Sequence, residues 1–364
     1  MKKILFNFLY WGKKSTGIYQ ITINLLKELV NFLSDEYELF CLTNFYEDIK
    51  IDKLKIIKEE FKRIKLIPKI FQTQFYLKNR VKKIKPGLIF NFFHSGYLLS
   101  NKTPQISIIH DLIPLSIFKG NLINYLYFRF FLKTLINNCK YILTPSNATK
   151  NDIIDIFKIP EEKIKVVYWG VDKERFKKLN IQKENFYLIV NATFPYKNVD
   201  YIIKLWRKFN IKDRLIIIGY HPKYIKYHNY LKELTKKLSL EDKITFYKEV
   251  SDEKLIELYN KAKALISPSL KEGFGLPPLE ALSCGTPVIL SNIPVYKEIY
   301  NDIAIFFDLD NEENFKEALE KVENLNQEEF NYKREEFLKK FDWQKTAEEI
   351  YKIIKDCLNE KNIN

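Results

Sequence analysis

A chain of 364 residues is long enough for two domains that each bury a core, and its 46% apolar and 29% charged composition is that of a folded, soluble protein. The formal charge of +14 is uneven, because residues 1–172 hold 27 Lys and Arg against 15 Asp and Glu, whereas residues 173–364 hold 33 against 31. Cys41, Cys139, Cys284 and Cys357 form no CxxC pair and have no histidine at ligand spacing, which excludes a disulfide framework and a zinc site and points to a reducing, cytoplasmic setting.

Met1-Lys2-Lys3 precedes the run from Ile4 to Trp11, which reads as a buried first strand and not as a secretory signal, since no small-residue cleavage site follows it. Short β-branched and aromatic runs then alternate with longer helical stretches, the pattern of parallel sheets covered by helices. In the first half, strands are predicted near Ile4 to Leu9, Tyr37 to Leu42, Leu88 to Phe92, Ile106 to Ile109, Tyr141 to Thr144 and Lys165 to Tyr168. Between the second and third of these, Ile51 to Ser100 carries 12 basic and 3 acidic side chains. The cations Lys62, Arg63, Lys65, Lys69, Lys78, Arg80, Lys82 and Lys83 are interleaved with apolar residues, a pattern that suits anionic lipid head groups and equally a solvated helix face. No helix-turn-helix, RNP or zinc-finger pattern accompanies it, so nucleic acid is not expected as a partner. The aromatic segment from Leu122 to Ile136 is interrupted by Arg129 and Lys133 and is not read as a membrane span.

The polar stretch from Asp172 to Glu184 marks a domain boundary, placed at 178/179. In the second half strands are predicted near Tyr187 to Val190, Arg214 to Ile218, Lys243 to Phe246, Ala264 to Ile266, Pro287 to Leu290 and Ala304 to Phe307. A last helix enters at Phe341-Asp342-Trp343 and runs through Ile354, giving a third segment, 341–364. Asp308-Leu309-Asp310 has the form of a DxD metal motif, but its place after the last strand reads as a loop and helix cap, so no metal is expected.

The chemistry concentrates in residues 267 to 282, Ser-Pro-Ser-Leu-Lys-Glu-Gly-Phe-Gly-Leu-Pro-Pro-Leu-Glu-Ala-Leu, directly after a strand and opening a helix. Gly273 and Gly275 let backbone approach a ligand closely, and Pro277-Pro278 suit a first helical turn, where their missing N–H groups are not needed. The free N–H groups of such a turn, with the helix dipole, form a site for an anion such as a pyrophosphate. Glu272 and Glu280 flank that site, placed to accept hydrogen bonds from sugar hydroxyls.

This string closely resembles the EX7E signature of retaining glycosyltransferases of the GT-B fold, in particular family 4. The resemblance extends along the chain. Ser15 to Gln20, with Gly17, resembles the glycine-bearing loop after the family's first strand. Ile109-His110-Asp111-Leu112-Ile113-Pro114-Leu115 is similar to a signature of one branch, which includes mannosyl- and other hexosyltransferases of surface polysaccharide synthesis. Residues 144–153 and 166–172 are similar to segments that close the first domain, and Trp343 with Thr346-Ala347 resembles the closing helix.

The resemblance implies an α/β fold of two Rossmann-like domains facing each other across a cleft, with the C-terminal helix crossing back to the N-terminal domain. It implies a GDP- or UDP-linked sugar as donor, a glycan or lipid-linked glycan as acceptor, no other cofactor, and a place at the inner face of the cytoplasmic membrane. Catalytic roles fall on His110, Asp111, Lys197 and Glu272; donor contacts fall on Gly17, Lys197, Glu272, Gly273, Phe274, Gly275, Leu276 and Glu280. One departure stands out. Lys197 occupies the family's lysine position, but Ala192 and Tyr196 stand where an arginine is usual, which implies a weaker diphosphate grip or a compensating cation such as Arg207. The rival reading is a weakened homologue that serves as a binding partner in a glycan-assembly complex.

Overall fold

A computed structural model describes residues 1–9, 17–59, 69–94, 96–98, 103–117 and 122–359, leaving aside the side chains of 69–71, 116–117, 123–124 and 127–128. It forms two compact units, Met1–Gly170 with Trp343–Asn364, and Val171–Asp342. The junctions fall at 170/171 and 342/343, against boundaries expected at 178/179 and 340/341.

The first unit runs β1 (Lys2–Phe8), α1 (Gly17–Leu33), β2 (Tyr37–Thr43), β3 (Leu54–Lys58), α2 (Lys69–Ile84), β4 (Leu88–Asn91), β5 (Gln105–Ile108), α3 (Ile113–Ile117), α4 (Leu122–Asn138), β6 (Tyr141–Thr144), α5 (Asn147–Phe157) and β7 (Ile164–Val166). Its seven parallel strands lie in the order β3-β2-β1-β4-β5-β6-β7. Strands such as β1 and β4 are buried along most of their length because helices cover both faces. The edge strand β3, Leu-Lys-Ile-Ile-Lys, was not expected as a strand. Its lysines sit at an edge, where solvent tolerates them, so the basic stretch begins in the sheet and becomes helical only in α2. Lys62, Arg63 and Lys65 lie outside the described residues.

The second unit contains β8 (Phe186–Val190), α6 (Val199–Lys208), β9 (Arg214–Ile218), α7 (Ile225–Lys237), β10 (Ile244–Tyr247), α8 (Asp252–Lys261), β11 (Leu265–Ser267), α9 (Leu276–Ser283), β12 (Val288–Ser291), α10 (Pro294–Tyr300), β13 (Ile305–Phe307), α11 (Glu312–Glu323) and α12 (Gln327–Leu338). Its strands are parallel in the order β10-β9-β8-β11-β12-β13. The core is built on Trp206, Tyr187, Phe307 and Phe315 with the β-branched residues of the central strands.

The chain then returns to the first unit as α13 (Trp343–Asn359), which packs on α1. Phe32 lies 5.8 Å from Tyr351, and both Tyr351 and Lys355 donate to Glu36. Asp308-Leu309-Asp310 is the loop from β13 to α11. The cap is the next residue, Asn311, whose side chain accepts from the Glu313 N–H, while Asp308 accepts from Asn292.

Candidate functional site

A parallel sheet opens a crevice where its strand order reverses, because the loops leaving the two adjacent strands turn to opposite faces. In residues 171–342 that point lies between β8 and β11. The loop after β8 is held tightly. Asn191 is left-handed (φ 64°), the Ala192 N–H donates to Ile218 O at 2.9 Å, and a Cβ on Gly219 (φ 146°) would stand 2.5 Å from Ala192 N, so only glycine fits there. A 3-10 turn, Pro195–Lys197, closes on Asn198 in the left-handed region and carries Lys197 to a buried position.

The loop after β11 meets it. The Leu270 N–H donates to Tyr196 O at 2.8 Å, and Lys197 Nζ donates to Glu272 Oε1 at 2.5 Å, with the two side chains only 8% and 9% exposed. Ser269 Oγ donates to the same oxygen at 2.7 Å and Tyr296 OH at 3.3 Å; Tyr296 OH also lies 2.7 Å from Ser267 Oγ. All three partners use Oε1, which leaves Oε2 with acceptor capacity for a ligand. A buried pair of this kind is costly to break, on the order of 3–5 kcal/mol when one partner is removed, because the other charge is then stranded.

Gly275 caps α9 in the left-handed region (φ 91°), where a Cβ would meet the Tyr296 ring at 2.6 Å, and its carbonyl accepts from Tyr300 OH. Leu276, Pro277 and Pro278 form the first turn of α9. Gly273 and Phe274 are buried, and the Phe274 ring packs edge-on against Phe341 at 6.0 Å, so this part of the loop can offer a ligand backbone only. Glu280 accepts from Tyr259 OH at 2.8 Å. Burial raises its pKa, opposed by that hydrogen bond and by the charge of Arg175.

The positions where arginine was expected are filled otherwise. Ala192 is buried, and Tyr196 stacks on Phe194 (5.3 Å, 15°), which meets Tyr224 edge-on at 4.8 Å. Lys197 Nζ sits 5.5 Å from the Tyr196 ring, so an aromatic shelf with one cation stands in place of a cation pair. Arg207 does not compensate. It lies exposed in the last turn of α6, about 12 Å along the axis from Val199.

In the first unit the order reverses between β1 and β4, and Gly17 opens α1 there, while the loop at 10–16 lies outside the described residues. His110 follows β5, and its Nε2 lies 2.9 Å from Phe92 O. A carbonyl only accepts, so Nε2 carries the proton and Nδ1 is a lone pair; it is buried and has no partner among the described residues. Burial pushes the His110 pKa down to about 4, with the Phe92 bond opposing, so the ring is neutral near pH 7. The ring lies 5.6 Å from Trp169, which stacks on Trp343 (6.3 Å, 24°), and the buried Trp343 Nε1 is likewise without a partner. Asp111 takes a local part: its Oδ1 accepts from the Ile113 N–H at 2.9 Å and so starts α3.

The sequence reading missed the side chains that hold the two glutamates. Ser269 and Ser267 stand inside the motif, and their hydroxyls were a usable signal; Tyr259, Tyr296 and Tyr300 reach the loop from α8 and α10, and nothing in their spacing announces it. Among the described residues, no group of three or more His, Cys, Asp or Glu is placed to hold a metal.

Comparison with known proteins places the chain in a family. Residues 171–340 match the family Glycosyl transferases group 1, and residues 17–175 match Glycosyltransferase Family 4. The chain is 33% identical over 323 residues to the O-antigen chain mannosyltransferase RfbU of Salmonella typhimurium, covering 86% of this chain and 89% of that protein. Among solved structures it is similar to sucrose-phosphate synthase from Thermosynechococcus elongatus (TM-score 0.76, 16% identity, 99% of this chain and 100% of that one). It is also similar to Anabaena Alr3699/HepE in complex with UDP and glucose (TM-score 0.73, 15% identity, 98% and 100%). At these identities the structures speak for the GT-B fold.

Proposed function

The chain belongs to the glycosyltransferases of group 1 and family 4, and from that premise we propose that it moves a hexose, mannose in preference, from a GDP- or UDP-linked donor to a glycan or lipid-linked glycan with retention at the anomeric carbon. The observation that carries this reading is the buried Lys197–Glu272 pair at the β8/β11 switch point, beside the N-terminus of α9. Similarity to a mannosyltransferase of O-antigen chains supports the choice of sugar, and the UDP held by the HepE neighbour supports a nucleotide-linked donor.

In this reading the bond from the sugar's anomeric carbon to the diphosphate breaks as the bond to the acceptor oxygen forms on the same face. The acceptor's proton passes to the departing phosphate oxygen, so no protein nucleophile is needed. What the protein must supply is neutralisation of the leaving diphosphate and exact placement of the reactants. Lys197 has three N–H donors and spends one on Glu272, leaving two for phosphate oxygens; the N–H groups of Gly275 and Leu276, which open α9 ahead of Pro277 and Pro278, supply the rest without a metal. Glu272 Oε2 accepts from sugar hydroxyls, Glu280 from the donor ribose, and the unprotonated Nδ1 of His110 accepts from a hydroxyl of the transferred sugar. Gly17 and the backbone of Gly273 to Leu276 line the donor's path, whereas Asp111 acts by shaping the turn after His110.

A panel of GDP-, UDP- and ADP-sugars tests this by thermal shift and by turnover, with the anomeric configuration of the product read by NMR. A GDP- or UDP-hexose should raise the melting temperature and be consumed with retention. An inverted product would refute the mechanism, and consumption of no donor would favour the binding-partner reading.

A further inference from the structure

Arg207 stands clear of the loops that hold Lys197 and Glu272, but another arginine of the second unit comes close to Glu280. The segment 172–179 is laced onto α8 and α9: Ser283 Oγ donates to Phe176 O, Asn260 Nδ2 donates to Lys177 O at 3.1 Å, and Asn260 Oδ1 accepts from the Leu179 N–H at 2.7 Å. Asp172 Oδ1 accepts from the Arg175 N–H at 3.0 Å, which fixes where that side chain starts. From there contacts run in series toward α9. The Arg175 guanidinium stands 4.8 Å over the Phe176 ring, that ring meets Tyr259 edge-on at 6.1 Å, and the Tyr259 hydroxyl donates to Glu280 Oε2.

The guanidinium is largely unspent. Among the described residues its carboxylate partner is Asp252, the first residue of α8, at 2.6 Å, and the Asp252 side chain is 63% exposed, where an ion pair holds weakly. Nε is buried and has no partner among the described residues. Arg175 does not pair with Glu280, yet Glu280 feels its charge: burial pushes the Glu280 pKa up, and the Tyr259 hydrogen bond and the Arg175 charge draw it back. The Tyr259 bond uses Oε2, so Oε1 keeps acceptor capacity. A carboxylate oxygen and a set of N–H groups thus stand near one another without meeting.

Glu280 lies four residues into α9, about 6 Å along the axis from Leu276, where the proposed reaction puts the diphosphate. A nucleotide carries the two neighbouring hydroxyls of its ribose a comparable step beyond its phosphates. Each hydroxyl both gives and accepts a hydrogen bond, so one can donate to Glu280 Oε1 while the other accepts from Arg175. We propose that Arg175 is a donor-binding residue, and that it and Glu280 hold the ribose hydroxyls of the nucleoside diphosphate between them. The planar fork of an arginine lets one Nη stay on Asp252 while another N–H reaches a hydroxyl, which the point charge of a lysine does less well. A guanidinium is thereby supplied to a site that lacks the usual arginine, at the nucleoside end of the donor. This rests on the nucleotide-sugar reading and names a further residue for it.

The test is calorimetric titration of the full chain with UDP, with GDP and with inorganic pyrophosphate, without acceptor. Arg175→Gln should weaken the nucleotide that binds about tenfold, as loss of a hydrogen bond to a charged group does, and leave pyrophosphate within about twofold of wild type. Lys197→Ala, in contrast, should weaken all of them. Removing both ribose hydroxyls, in the 2′,3′-dideoxy nucleotide, should cost Arg175→Gln less affinity than it costs wild type, because one hydroxyl contact is already gone. Asp252→Asn should keep nucleotide affinity, and near-wild-type melting temperatures show that both variants fold. Equal nucleotide binding by wild type and Arg175→Gln overturns the proposal while leaving the nucleotide-sugar reading in place. Equal losses for nucleotide and pyrophosphate overturn it by moving the guanidinium to the diphosphate, and an Asp252→Asn loss as large as that of Arg175→Gln reduces the arginine to a support of α8. Wild-type protein that binds pyrophosphate but neither nucleotide refutes the nucleotide-sugar reading and this inference with it.

Discussion

At the β8/β11 switch point a lysine and a glutamate are buried together, with two hydroxyls and a backbone bond closing the loops around them. Around the end of β5, in contrast, His110 and the first residue of α13, Trp343, each keep a buried nitrogen without a partner among the described residues. The first region pairs its two charges with each other, keeps Oε2 of Glu272 and the remaining Lys197 N–H groups for a ligand, and is set before any ligand arrives. The second holds capacity in reserve, and burial makes that reserve costly unless a ligand satisfies it. A lysine and a carboxylate cannot be buried singly, so they must be pre-paired; a neutral imidazole and an indole can wait.

The largest effect should come from breaking the pair. Lys197→Ala or Glu272→Ala is expected to cost about 3 kcal/mol of stability in denaturant melts and at least ~10²-fold in turnover. The double alanine variant should recover much of the stability but none of the turnover. If the single variants are as stable as wild type, the pair is not buried in solution and the contrast collapses.

The next effect concerns His110. Its pKa is about 4 in the folded chain against 6.5 for a free imidazole, so between these values the unfolded chain takes up a proton that the folded one refuses. Stability is therefore fully present above pH 6.5 and falls as the pH drops toward 4, by at most about 3 kcal/mol from this residue. His110→Gln should flatten that part of the pH–stability profile; an unaltered profile would mean that other groups set it.

The smallest effect tests how Glu272 is held. Tyr296→Phe removes one hydroxyl from Oε1 while keeping the ring against Gly275, and should cost about 1 kcal/mol and a several-fold loss in turnover. Were turnover to fall as far as in Glu272→Ala, the hydroxyl would be contacting substrate itself.

Much of this was legible in the chain. The alternation of apolar runs and helical stretches located the parallel strands of both sheets, because strands covered on both faces must be apolar throughout. The edge strand β3 escaped for the converse reason: with one side open it tolerates lysines and so loses the pattern. The glycines, prolines and glutamates of 272–280 announced a loop, a helix start and two carboxylates, since each obeys a local backbone rule.

The chain by itself thus singled out the residues to which the proposed transfer assigns its chemistry. Only the tertiary structure decided their partners: that Lys197 closes on Glu272 across 75 residues, that Tyr259 and Tyr296 hold the glutamates, and that His110 keeps Nδ1 free by giving Nε2 to Phe92. It also decided that Leu122, Leu126 and Phe130 face outward from a helix whose apolar residues follow no one-sided period. Local rules act between residues a few positions apart, whereas burial and pairing depend on what the fold brings alongside, and no spacing in the sequence encodes that.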